Sequence, residues 1–184
     1  MVRLYVLEGF DFASRDFGSF SDPYLKIVCG SKVFEERDQY QIDEPNPKFY
    51  KVYELSQQFP GSAPLVIEAY DFDDLFGDDM IGKTSIDLDD RFFSAEWRAL
   101  TEKPIEYREL YHPSTSLAQG TIICWVDIQS QAKSRNTSEP WDITPEPSLN
   151  YQLRVAILDT ENVPMEDAEG TSDVFVKAWI DESD

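Results

Sequence analysis

Aspartates crowd two short stretches of this sequence. One reads Arg15-Asp16-Phe17-Gly18-Ser19-Phe20-Ser21-Asp22-Pro23-Tyr24, the other Tyr70-Asp71-Phe72-Asp73-Asp74-Leu75-Phe76-Gly77-Asp78-Asp79-Met80-Ile81-Gly82. If both loops open at one end of a domain, five or more carboxylates converge, and without a cation among them they repel strongly. A calcium ion suits such a site, because it takes about 6 to 8 oxygen ligands in flexible geometry whereas magnesium keeps its waters. Neither loop holds a cysteine or histidine, which disfavours zinc and copper. In Asp71-Phe72-Asp73 the two acids share one side of an extended chain, and Asp79 returns from the far side of the loop. An EF-hand beginning at Asp71 fails, since the turn glycine stands seventh and the twelfth place is Gly82, not Glu.

The elements that must hold these loops are strands. Period-2 segments bounded by turn residues run over 2–8, 24–29, 48–54, 65–70, 80–87 and 120–128, where Ile122, Cys124, Val126 and Ile128 share a face. This is an all-β pattern of half-buried strands, suited to an antiparallel sandwich. The runs Asp43-Glu44-Pro45-Asn46-Pro47 and Phe59-Pro60-Gly61-Ser62-Ala63-Pro64 mark loops. The formal charge of −20 in 184 residues excludes a nucleic-acid or polybasic membrane binder. No apolar stretch approaches the roughly 18 to 20 residues that span a bilayer. Two cysteines, Cys29 and Cys124, in strand-like surroundings argue against a disulfide framework and for a cytosolic protein. The tripeptide Asn136-Thr137-Ser138 matches a glycosylation pattern that is common by chance.

Residues 129–150 change in composition to Ser, Pro, Thr and Glu, which reads as a linker between a first domain at 1–128 and a second segment at 151–184. That segment repeats the start of the chain. Leu153-Arg154-Val155-Ala156-Ile157-Leu158 resembles Val2-Arg3-Leu4-Tyr5-Val6-Leu7, and in the same register Asp167 falls on Asp16, Ser172-Asp173 on Ser21-Asp22, and Phe175-Val176-Lys177 on Tyr24-Leu25-Lys26. Only about two strands of this second module are written, too few to bury a core. The expectation is a piece of a longer tandem-repeat protein.

Ser-Asp-Pro-Tyr-Leu-Lys at 21–26, Tyr-Asp-Phe-Asp at 70–73 and Asp-Met-Ile-Gly at 79–82 resemble the calcium-binding signature of C2 domains over residues 1 to about 128. The resemblance implies an eight-stranded antiparallel Greek-key β-sandwich, and it places the family's five aspartates on Asp16, Asp22, Asp71, Asp73 and Asp79. Asp74 and Asp78 are further acids whose role it leaves open. A finer resemblance, to ferlins, rests on Asn46-Pro47-Lys48-Phe49, the run from Ile86 to Phe93, Gln119-Gly120 to Trp125-Val126-Asp127, Asp142-Ile143-Thr144-Pro145 and the segment from Leu153 to Ile180. In order, these look like a late ferlin C2 domain followed by the truncated start of the next, with a stretch at 94–118 shorter than in animal ferlins. It implies action at the cytosolic face of a membrane, in a parent protein anchored by a C-terminal segment absent here. Implied partners are anionic phospholipid, bound with calcium, and other C2 domains of the same chain or fusion proteins.

Five aspartates against two or three calcium ions would take the loop end from strongly negative to near neutral. Phe17, Phe20, Leu75 and Phe76, large apolar residues beside acids, then read as membrane-inserting tips. Phe72, opposite Asp71 and Asp73, reads as core. Lys26, Lys32, Lys48 and Lys51 could form a basic strand face, but Glu35, Glu36, Asp43 and Glu44 lie close to them. Arg91-Phe92-Phe93 with Trp97 reads as a core-covering segment, and His112 as a solvated loop residue. The competing classes are an enzyme using paired carboxylates and a calcium-independent protein-interaction module. No nucleophile and base pair, Gly-rich phosphate loop or α/β alternation supports catalysis, so the expectation is a non-enzymatic module.

Overall fold

In the segment Leu65–Asp71 burial alternates along the chain: Leu65, Ile67, Ala69 and Asp71 are buried while Val66, Glu68 and Tyr70 are only partly so. This period of two is the mark of a strand with one face on a core, and it governs most of the chain. The structure, a computed structural model, describes residues 1–15, 18–74, 77–129, 139–147, 149–164, 170 and 174–179. They divide into two units, Met1–Glu146 and Pro147–Asp184.

In the first unit eight strands pair antiparallel throughout: β1 (Val2–Phe10), β2 (Pro23–Cys29), β3 (Lys32–Glu35), β4 (Lys48–Leu55), β5 (Leu65–Asp71), β6 (Asp79–Ile86), β7 (Glu106–Tyr111) and β8 (Ala118–Ile128). Their spatial order is β3-β2-β5-β6-β7-β8-β1-β4. Between β6 and β7 the pairing narrows to Lys83 with Tyr111, and there the sheet folds over into two layers of four. At this seam a Cβ on Gly82 would lie 3.1 Å from Leu110 Cβ and 3.2 Å from the Tyr111 amide nitrogen. Glycine lets the two strands approach. Between the layers lie Val2, Leu4 and Val6 of β1, Leu25 and Ile27 of β2, Ile81 and Ile86 of β6, Leu110 of β7, and Ile122, Cys124 and Val126 of β8.

The expected antiparallel sandwich is present, and the six strands read from the sequence end within two residues of those observed, the two-residue differences falling at the end of β1 and the start of β8. β3 and β7 complete the eight strands that the resemblance implies, and the sequence pattern does not locate them. Two short helices, α1 (Leu88–Phe93) and α2 (Ala95–Ala99), join β6 to β7. The Asp87 side chain caps α1 by accepting from the Asp90 amide, and Ser94 caps α2 by accepting from that of Trp97. Phe92 stacks on Phe59 with ring centroids 4.3 Å apart, as a core-covering segment would, while Phe93 is exposed. Both cysteines are buried free thiols. In the second unit the described residues form no strand or helix, and large apolar side chains stay exposed, Leu158 at 94% and Phe175 at 84%. Among the described residues no helix is long and apolar enough to cross a membrane.

Candidate functional site

Asp71 is the last inward-facing position of β5, after Leu65, Ile67 and Ala69. Strand alternation therefore carries its carboxylate into the open end of the sandwich, where it is 3% exposed. Its neighbours are set by pairing. Pro23 of β2 stands opposite on one side and Asp79 of β6 on the other. β6 carries one extra residue, because Ala69 pairs with Gly82 but Tyr70 with Met80. This bulge at Ile81 shifts the register by one, so that Asp79 rather than Met80 faces Asp71. The Asp22 amide donates to Asp71 Oδ1 at 2.6 Å, and the Phe72 amide donates to the Asp22 carbonyl at 3.0 Å. Asp22, Asp71 and Asp79 thus line up across three adjacent strand ends.

Three loops meet here. The β1–β2 loop is closed by the Ser21 hydroxyl, which accepts from the Arg15 amide and donates to the Ala13 carbonyl. The β3–β4 loop contributes Asp43, whose amide donates to Asp22 Oδ1 at 2.8 Å and whose own Oδ1 accepts from the Phe20 amide at 2.8 Å. The β5–β6 loop is held by Asp78. Arg37, in a 3-10 turn at Arg37–Gln39, donates to both Asp78 oxygens at 2.7 and 2.9 Å and to the Asp73 carbonyl at 3.0 Å. The Tyr24 hydroxyl and the Asp73 amide also donate to Asp78, at 2.7 and 3.0 Å. The Arg37 hydrogen bonds, helped by those from Tyr24 and Asp73, hold the Asp78 carboxyl down to about 2. Burial, with Asp78 beside it, pushes the Tyr24 phenol well above its ordinary value. Asp78 is therefore a brace, occupied by four donors, and not a spare ligand.

Of the expected ligands, Asp22, Asp71 and Asp79 come together at the strand ends, Asp73 follows two residues beyond Asp71 with its backbone fixed by Asp78 and Arg37, and Asp16 lies outside the described residues. All of these donors are carboxylate oxygens, a set that fits a hard cation such as calcium and not a soft one. Among the described residues no group of three or more His, Cys, Asp or Glu side chains is arranged to hold a metal by itself. Of the expected tips, Phe20 is 54% exposed, and Phe17, Leu75 and Phe76 lie outside the described residues.

Phe72 corrects an expectation. The inward position belongs to Asp71, so Phe72 turns out of the core and packs against Tyr40, rings 3.9 Å apart and 2° from parallel, with the Arg37 guanidinium 4.2 Å from its centroid. The sequence pattern marks only Asp43-Glu44-Pro45-Asn46-Pro47 of the β3–β4 loop, as a connection, yet the loop carries Arg37, Tyr40 and Asp43 into the site and exposes Ile42 at 76%. A large apolar residue next to an acid, as at Ile42-Asp43, was the available signal, the same one that drew attention to Phe20. Of the four lysines, which stand on β2, β3 and β4, Lys26 pairs with Glu35 at 3.1 Å and Lys51 with Glu36 at 3.9 Å, Lys32 lies over the Phe34 ring, and Lys48 is exposed.

The family model that matches the sequence is the C2 domain, over residues 1–104 and 151–184. Among curated proteins, Myoferlin of Xenopus tropicalis is 26% identical over 269 residues, covering 98% of this chain and 14% of its own length. That alignment is longer than the chain, so the relative carries additional residues within it. Ferlin 2 of Toxoplasma gondii is 27% identical over 173 residues, covering 88% of this chain and 12% of its own. This chain thus spans a small fraction of the proteins it resembles. Among solved structures, the calcium-bound pair of C2 domains of Extended-Synaptotagmin 2 matches 68% of this chain and 44% of its own at 26% identity with a TM-score of 0.54. A C2 domain of plant Extended Synaptotagmin 1, at 14% identity and a TM-score of 0.51, shares the fold.

Proposed function

Since the chain belongs to the C2 domain family and its curated relatives are ferlins, we propose that residues 1–128 act as a calcium-dependent phospholipid-binding module of a ferlin-like membrane fusion, trafficking or repair protein. Residues 129–150 are then a linker and 151–184 the start of a second C2 domain. The observation that carries the reading is the buried Asp71 carboxylate between Asp22 and Asp79, at the end of the core where three loops meet. A water-facing strand end gains nothing from a carboxylate held this deep, whereas a cation site gains a fixed, poorly hydrated oxygen donor.

Asp16, Asp22, Asp71, Asp73 and Asp79 are the residues that would hold calcium. When bound, calcium supplies positive charge that cancels the repulsion between this end of a −20 chain and anionic lipid. Phe17, Phe20, Leu75 and Phe76 would enter the lipid, each giving at most about 1.5 to 3 kcal/mol on full burial. The module binds and does not turn over a substrate. Its place is the cytosolic face of a membrane, in a parent protein anchored by a C-terminal segment.

Calorimetric titration of the chain with calcium, repeated on Asp71→Asn/Asp73→Asn, tests the reading together with sedimentation on phosphatidylserine vesicles. Two or more ions bound, lost in the variant, and vesicle capture only with calcium are expected. Absence of heat to millimolar calcium refutes it and leaves a constitutive protein-interaction module. Calcium-stimulated turnover would return the enzyme reading.

A further inference from the structure

The β3–β4 loop contributes none of the expected ligands, yet it touches both loops that do. At its start, Arg37 and Tyr40 grip the middle of Asp71-Phe72-Asp73. Tyr40 stacks flat on Phe72 at 3.9 Å, and the Arg37 guanidinium lies 4.2 Å from the same centroid. Two groups that close to one centroid cannot share a face, so Phe72 is clamped from both sides. The guanidinium then reaches Asp78 through two bonds and the Asp73 carbonyl through another. Further along the loop, Asp43 joins Asp22 to Phe20 through its amide and its Oδ1. Asp43 does so with φ at 57°, a left-handed conformation that Asp and Asn tolerate better than most residues.

We propose that this loop is a splint, in which Arg37 and Tyr40 position Asp71 and Asp73 while Asp43 positions Asp22, so that carboxylates from separate loops meet one cation in a fixed arrangement. The inference rests on the calcium reading above. It assigns Arg37, Tyr40 and Asp43 as positioning residues that act through the ligands. Charge makes the idea sharply testable. Arg37 is a cation beside a cation site, and its removal also frees Asp78, so Coulomb attraction alone predicts tighter calcium binding in Arg37→Gln. Positioning predicts the opposite, because loss of the partners that orient ligands commonly costs about tenfold or more in metal affinity.

The experiment titrates the whole chain and its variants with calcium by calorimetry, with the thermal midpoint of the calcium-free protein as a control for folding. Arg37→Gln and Asp43→Ala are expected to bind about tenfold more weakly. Arg37→Lys keeps the charge but loses the two-pronged contact with Asp78 and is expected to resemble Arg37→Gln. Asp43→Asn keeps the acceptor, the amide and the tolerance of positive φ, and is expected to bind within about twofold of the unmodified chain. Equal or tighter binding in Arg37→Gln overturns the splint, as does an Asp43→Asn variant as weak as Asp43→Ala, which would make Asp43 a ligand. Amide hydrogen exchange at Asp73 in the calcium-free chain separates this failure from that of the calcium reading. If the unmodified chain binds no calcium but Arg37→Gln speeds that exchange about tenfold or more, the loop alignment stands and the calcium reading falls. Unchanged exchange overturns the splint whatever calcium does.

Discussion

Replacing Asp78 by Asn removes one negative charge from a chain that already carries −20, and simple repulsion predicts that the protein becomes more stable. The structure predicts the reverse. Asp78 accepts four hydrogen bonds, two from Arg37 and one each from Tyr24 and the Asp73 amide, and its carboxyl is held at about 2 against an ordinary 3.8. At about 1.36 kcal/mol per unit, that difference sets an upper limit near ~2.5 kcal/mol. The Arg37 partner is about two-fifths exposed, and solvent screening lowers the net value to about 1 kcal/mol. The native carboxyl titrates below the unfolded one, so this stabilisation is fully present above the unfolded value. It shrinks as pH falls and is gone once pH passes through about 2. Urea unfolding of the unmodified chain and Asp78→Asn is expected to show the gap of about 1 kcal/mol at pH 7, roughly halved at pH 3. A variant as stable as the parent at pH 7, or a gap that does not change between pH 7 and pH 3, refutes the brace.

Three further outcomes are expected. Glu106 lies between Arg91 and Arg108, with nearest contacts of 2.7 and 2.6 Å and little exposure of any of the three; Glu106→Gln leaves two guanidinium groups close together without their acid and should cost about 2 kcal/mol in urea unfolding. Cys29 and Cys124 are buried, and burial raises both thiols, Cys124 to about 12, so neither should react with a thiol reagent at pH 8 until the protein is unfolded. Ile42→Ser should leave calcium binding unchanged but weaken calcium-dependent vesicle sedimentation by about fivefold, as partial insertion of one exposed aliphatic side chain implies; unchanged sedimentation would remove the β3–β4 loop from the lipid contact.

The strands legible in the sequence are those whose inward positions are apolar, such as β5 and β8. The two that were not legible break that pattern for physical reasons. β3 is a short edge strand with little burial on either face, so nothing in it must alternate. β7 turns Glu106 and Arg108 to the same side as Cys124 and Ile122, and Arg91 completes an ion cluster there in place of an apolar row. Within the site, the acids were visible because their types and spacing are unusual. Their supports were not: Arg37, Tyr40 and Asp43 are ordinary surface residues whose value comes from neighbours about 20 to 40 residues away in sequence, a distance that only the fold spans. Phe72 shows the limit most plainly. Its parity was readable, but which side of β5 faced the core at that end was decided by Asp71, a carboxylate in a place where an apolar residue is the usual occupant.

The bulge at Ile81 has an engineering meaning. The separation of Asp71 and Asp79 is fixed by a count of paired residues, one whole residue at a time, and not by the length of the chain that joins them. Residues between them can therefore be added or removed at the loop tip, as in a graft or a swapped sequence, while the two carboxylates keep their places. Straightening the bulge would do what no tip insertion does: it would bring Met80 opposite Asp71 and exchange an oxygen donor for a thioether, with the composition of the chain untouched.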